Sequence, residues 1–288
     1  MGPPFSEFEY NDRIKRVRHV MDERRIDTLI IGDPANINWL TGYDAWSFYT
    51  PQMMLLSTSK GPYWFGREMD AGAAEYTTYL SKSQIIGYPE IFVQTPESHP
   101  AQYLTGWMRD SGFSRGNVGY ENDSYFTSPR SINALKDGLP EVKWIDADLL
   151  VNWVRVVKSE AELLMMRQAG KIAEIAMKTA WGLARVDVRQ SDLMAEVLAA
   201  QIRGTTEFGG DMTALHPLIL AGEAASTAHP MWTDEKLREG QTVSFELGGC
   251  RKRYNVGLAR TIHLGNKKPT KLIETAKVIE EGMKTVMD

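Results

Sequence analysis

The sequence predicts an α/β domain followed by an α+β domain, and three observations carry that expectation. Through about residue 150, short apolar runs alternate with amphipathic helical stretches, the pattern of a sheet layered with helices. Near residue 159 a helix-start signal opens two long helical segments. Beyond Gly209-Gly210 the pattern changes to short β-like runs separated by glycine-containing turns. The length of 288 residues exceeds what one ordinary core needs and fits about two domains, expected at 1–152 and 153–288.

Residues 8–23 place Ile14, Val17, Val20 and Met21 on one face of a first helix. Thr28-Leu29-Ile30-Ile31, closed by Gly32-Asp33-Pro34, reads as a buried strand, and Asp33-Pro34-Ala35-Asn36 starts a short helix or turn. Strands are expected at 53–57, 62–65, 85–88, 117–120 and 143–146, with helices at 70–80, 100–111 and 127–135. After a junction at 149–158, Ser159 with Glu162 three residues on has the capping-box spacing, which predicts a long helix to about Ala184. A second long helix is expected at 190–203, then β-like runs at 215–220, 242–247 and 259–264. Residues 270–288 repeat apolar positions at helical spacing and show no Gly or Pro terminator, so the chain reads as a fragment of a longer domain.

Composition narrows the function classes. Hydrophobic residues at 43% and charged residues at 24% describe a globular protein, and a net charge of −4 attracts neither nucleic acid nor an acidic membrane surface. No window approaches the ~20 apolar residues of a membrane span, and the N-terminus lacks a signal-type apolar region. The single cysteine, Cys250, excludes an intrachain disulfide and any metal site built on several thiolates, and reads as a small buried hydrophobe. A cytoplasmic protein is the expectation.

Chemistry gathers between His229 and Thr261. Phe245 and Leu247 flank Glu246 on a strand, so Glu246 points to the opposite face from both. Taken singly, Glu246 would be an exposed sheet carboxylate, His229 a surface histidine and Arg260 an ion-pair partner. Their grouping suggests a site through its resemblance to a known family.

The run 240–265 resembles the hairpin of the pita-bread enzymes, which include methionine aminopeptidase, prolidase and creatinase. Glu246-Leu247-Gly248 stands where Asp-x-Gly is expected, Tyr254 matches the family tyrosine, Gly257 replaces the second Asp, and Ala259-Arg260-Thr261 replaces Thr-Arg-Thr. His229 matches the histidine that precedes the hairpin. The resemblance implies a creatinase-type N-terminal domain, a pita-bread domain incomplete at its C-terminus, and further site residues beyond the end of this chain. A two-metal site needs carboxylates bridging cations ~3.5–4 Å apart, and Gly257 supplies none, so no metal and no other cofactor is expected.

Further segments, among them Trp39-Leu40-Thr41-Gly42-Tyr43-Asp44, Trp46-Ser47-Phe48-Tyr49, Val151-Asn152-Trp153 and Gly209-Gly210-Asp211, resemble the ectoine hydrolases across essentially the whole chain. That implies metal-free hydrolysis of a cyclic amidine, ectoine or 5-hydroxyectoine, by a homodimer. Glu246 and His229 are then the catalytic candidates. Arg260 or Arg67 would hold the substrate carboxylate, with Arg67 equally readable as a surface ion-pair partner and Arg260 as an orienter of Glu246. Trp46, Phe48 and Tyr49 would offer a cation–π surface to the partner's substrate, or else pack in a core. Tyr254 and Asp211 complete the candidates. A metal-dependent Xaa-Pro peptidase and a non-catalytic binding module stand as alternatives, while Ala259, where creatinase carries Glu, speaks against creatine as substrate.

Overall fold

The computed structural model describes residues 2–287 and divides into two compact units, Met1–Lys158 and Ser159–Asp288. The first contains α1 (Glu7–Glu23), β1 (Thr28–Ile31), α2 (Pro34–Thr41), β2 (Met53–Ser57), β3 (Tyr63–Arg67), α3 (Ala71–Thr77), β4 (Ile85–Tyr88), α4 (Pro100–Ser111), β5 (Asn117–Tyr120), α5 (Pro129–Gly138), β6 (Lys143–Asp146) and α6 (Leu150–Val154). Its strands form one six-stranded sheet in the order β4-β3-β2-β1-β5-β6. β2 runs antiparallel to both β1 and β3; the outer pairings are parallel.

Apolar runs become strands here because both faces of the sheet are covered. Leu29, Ile31, Met54, Leu56 and Trp64 point to a cluster with Ile14, Val17 and Met21 of α1 and Ile37 and Leu40 of α2. Their strand neighbours Ile30, Met53, Leu55 and Phe65 point the other way, to Leu104 and Met108 of α4 and Leu135 of α5. The division between units falls later than the expected 152/153. Leu150 and Val151 of α6 lie in the first unit's core, Arg16 donates to the Val154 and Val157 carbonyls, and Asn36 Nδ2 donates to Asn152 Oδ1 at 2.7 Å.

The second unit contains α7 (Glu160–Leu183), α8 (Gln190–Arg203), β7 (Leu218–Ala221), β8 (Thr242–Arg251), β9 (Tyr254–His263) and α9 (Thr270–Met287). Ser159 caps α7 through the capping box that the sequence suggests. β7, β8 and β9 form an antiparallel sheet, and Ile219, Val243, Phe245 and Leu247 bury one face of it against Ala176, Met177 and Ala180 of α7 and Leu193, Met194 and Val197 of α8. β7 starts after Pro217, which has no N–H for the ladder, so 215–217 stay outside the strand. β8 continues through Gly248-Gly249, where the sequence suggested an end. A Cβ on Gly249 would lie 2.1 Å from the Ala169 carbonyl oxygen of α7, so the helix needs glycine there to approach the strand.

Two buried titratable groups sit at helix starts of the first unit. Glu121 accepts from the backbone N–H groups of Gly32 and Asp33, both at 3.0 Å, and from Asn36 Nδ2. Burial pushes its carboxyl up to about 7 against those hydrogen bonds. His99 caps α4, its Nδ1 accepting from Ala101 N at 3.1 Å, and burial, then the Arg130 charge, holds the ring below its ordinary value.

The signs are opposite. Folded Glu121 binds a proton more tightly than the unfolded chain does, so its contribution is complete below pH 4.5, the ordinary value, and is lost as pH rises through about 7. Glu121→Gln should remove that loss, raising the melting temperature relative to wild type by roughly 2–4 °C at pH 8 and not at pH 5. Folded His99 binds its proton less tightly, so its contribution is complete above the ordinary value of 6.5 and falls as pH drops below it. His99→Asn keeps a capping side chain but does not titrate, and should flatten the wild-type loss of melting temperature between pH 7 and pH 5. Parallel slopes for variant and wild type would contradict each assignment.

Candidate functional site

The β8–β9 hairpin displays the site. Val243, Phe245 and Leu247 face the helices, so Ser244, Glu246 and Gly248 leave the sheet on the other side. Directly opposite residues share a face, and the register pairs Ser244 with Thr261, Glu246 with Ala259 and Gly248 with Gly257. On the other flank Glu246 pairs with Leu218 of β7. Glu246 is therefore the one carboxylate that the three strands bring to this face.

The register also separates residues expected together. Arg260 pairs with Phe245, which points into the core, so its side chain starts from the face opposite Glu246; its guanidinium donates to the Ala259 carbonyl at 2.7 Å. Tyr254 shares the Arg260 face, and its hydroxyl donates to Glu162 Oε1 at 2.8 Å, tying the hairpin tip to the start of α7. Neither meets Glu246 across the sheet.

Asp211 serves the turn. Lys252 and Arg253 occupy its two central positions at φ of 50° and 67°, the left-handed geometry of a two-residue hairpin loop that usually takes Asn-Gly. The Asp211 carboxylate accepts from Lys252 N, and Asp211 N donates to the Cys250 carbonyl at 3.0 Å. Its side chain is committed to backbone. Cys250 is buried. His229 stands in the loop between β7 and β8 with φ of 66°, and is exposed.

In the first unit, Trp46, Phe48 and Tyr49 are exposed rather than core residues. Trp46 and Phe48 stack with ring centroids 5.5 Å apart, and Phe126, which the sequence did not single out, meets Phe48 edge-on at 6.0 Å. Arg67 forms a two-point ion pair with Glu90, its Nε donating at 2.8 Å, and that pairing holds the Glu90 carboxyl below the usual carboxylate range. The surface ion-pair reading of Arg67 matches this arrangement.

Gly257 offers no ligand, and among the described residues no group of three or more His, Cys, Asp or Glu side chains is placed to hold a metal. A Cβ at Gly257 would meet nothing within 4 Å, so the space beside Glu246 is open. Among the described residues no helix is long and apolar enough to cross a membrane.

Residues 13–157 match the Creatinase/Prolidase N-terminal domain, and residues 165–288 match Metallopeptidase family M24. An ectoine hydrolase of Halomonas elongata is 38% identical over 99% of this chain and 73% of its own length. An uncharacterized hydrolase/peptidase of Sinorhizobium fredii is 40% identical over 99% of this chain and 72% of its own. Among solved structures, the prolidase of Pyrococcus horikoshii superposes with a TM-score of 0.77 at 18% identity, covering 95% of this chain and 71% of that one. Sequence and fold agree: the chain belongs to the creatinase/prolidase group of metallopeptidase family M24, a family of hydrolases, with a creatinase-type N-terminal domain followed by pita-bread sequence.

Proposed function

We propose that this protein hydrolyses the cyclic amidine of ectoine to N-acetyl-2,4-diaminobutyrate without a catalytic metal. One observation carries the reading: the hairpin face holds a single carboxylate, Glu246, beside an open position, Gly257, where the family's metal sites need a second acid. The 38% identity to an ectoine hydrolase supports it. An amidinium is a planar cation with N–H donors, and Glu246 is suited to face it. Water must add to the amidine carbon, and the ring nitrogen that leaves must take up a proton. Those steps require one base and one acid, which Glu246 and His229 supply between them. In this reading the protein is a cytoplasmic homodimer, and the Trp46–Phe48 stack of one copy, with Tyr49, presents aromatic faces to the cation bound by the other.

A metal-dependent Xaa-Pro peptidase is the competing reading, favoured by the family's character and opposed by Gly257. Full-length protein incubated with ectoine should form N-acetyl-diaminobutyrate equally with and without chelator, and Glu246→Gln should lower kcat by about 10²–10⁴-fold. Loss of turnover on chelation, or none at all, would sink the proposal.

Gly257→Asp tests the donor-set argument. A Cβ at this position meets nothing within 4 Å, and residue 257 stands diagonal to Glu246 on the same face. Calorimetric titration with Mn²⁺ or Zn²⁺ should show tighter binding to the variant than to wild type, with amidine turnover reduced. Equal metal affinity in the two proteins would count against the idea.

A further inference from the structure

The Glu246 face carries a second polar feature that the functional reading leaves unused. Ser244 lies two residues before Glu246 on β8, so both side chains leave the sheet on the same side. Its cross-strand partner is Thr261, and the two hydroxyl oxygens are 3.0 Å apart. In such a pair one hydroxyl donates to the other, and the second keeps its own hydrogen for another acceptor. Thr261 is exposed and Ser244 half-buried, so that hydrogen is within reach of a ligand. Around Glu246 the remaining strand neighbours on this face, Leu218 and Leu220 of β7 and Gly248, Gly257 and Ala259 of the hairpin, have no donor side chain, and Thr213, which packs over Gly248, donates its hydroxyl to the Leu215 carbonyl at 2.6 Å.

The substrate proposed above has a carboxylate as well as an amidinium. Arg260 leaves the sheet on the opposite face, and Arg67 is engaged by Glu90. We propose that the Ser244–Thr261 hydroxyl pair receives the carboxylate of a cyclic amidine whose amidinium faces Glu246, a proposal that rests on the functional reading above. Same-face neighbours along a strand, and diagonal neighbours across strands, are about 7 Å apart. That separation suits a six-membered ring with a cation at one end and a carboxylate at the other. Neutral donors have an advantage over an arginine here. A guanidinium this close to Glu246 would pair with it and compete with the amidinium, whereas hydroxyls bind a carboxylate and leave the Glu246 charge uncompensated.

The test compares ectoine with the same ring lacking its carboxylate, 2-methyl-1,4,5,6-tetrahydropyrimidine, in the full-length protein. Ser244→Ala and Thr261→Val should each lower the ratio of kcat/KM for ectoine to that for the descarboxy ring by roughly tenfold or more, through a rise in the KM for ectoine. Thr261→Ser, which restores a hydroxyl, should recover the ratio. A pair that only fastens two strands would lower the melting temperature and reduce both substrates alike, and that result, or an unchanged ratio, overturns the proposal. Wild-type protein that opens neither ring overturns the functional reading and this proposal with it. Wild-type turnover of ectoine with variant ratios unmoved overturns this proposal alone.

Discussion

The hydrogen-bonded register of β8 against β9 decides what the second unit can do. Side chains alternate with a period of two, so a slip of one residue would turn Glu246 into the core and Phe245 out to solvent. Several contacts oppose such a slip. Val243, Phe245 and Leu247 are fully buried against α7 and α8. Gly249 lets the α7 backbone come so close that a displaced residue with a Cβ would strike it. At the tip, two non-glycine residues hold left-handed conformations at a cost of roughly 1–2 kcal/mol each, offset in part by the Asp211 carboxylate on Lys252 N. The Tyr254–Glu162 hydrogen bond fastens the same end to the helix start. Every group named as binding or catalytic on this hairpin takes its direction from that register.

The first unit has the opposite character. Its central strands are apolar on both faces and hold no charged group that could work on a substrate, so its polar chemistry is confined to strand ends and loops. Glu121 and His99 occupy two such ends and are spent on backbone N–H groups. What remains open is aromatic: the Trp46–Phe48 stack braced by Phe126. A flat apolar surface with negative ring faces is suited to a delocalised cation and poorly suited to an anion, which is the polarity proposed for the ligand of Glu246.

Much of the fold was legible because it follows local rules. The α7 capping box, the extent of α8 and the alternation of helices with short apolar runs all rest on residues within one turn or one strand of each other. The direction of Glu246 was legible for the same reason, since its apolar neighbours flank it. Arg260 was not. Its face depends on how β9 pairs with β8, and that depends on the turn length; Lys252-Arg253 carries none of the Asn-Gly chemistry that announces a two-residue loop. Asp211 and Arg67 were hidden differently. Their partners, Lys252 N and Glu90, are distant in sequence, and only tertiary structure brings them together. Ser244 could have been found by counting back two residues from Glu246. Phe126 had no such local marker.

Charge balance connects the missing acid to the proposed substrate. A face built with two carboxylates close together needs cations between them, because like charges at that distance resist joint ionisation and one acid would otherwise take up a proton. Gly257 in place of one acid removes that repulsion, and in the proposed reading Glu246 is the one carboxylate left to meet the substrate. One negative charge then matches one positive charge. An amidinium is monocationic and planar, and it offers N–H groups where a carboxylate can accept them. A substrate with its own carboxylate adds a second requirement, since that anion must be held near Glu246 without placing a cation beside it. Hydroxyl donors meet the requirement, and the register places two of them on the same face as Glu246 while directing Arg260 to the other.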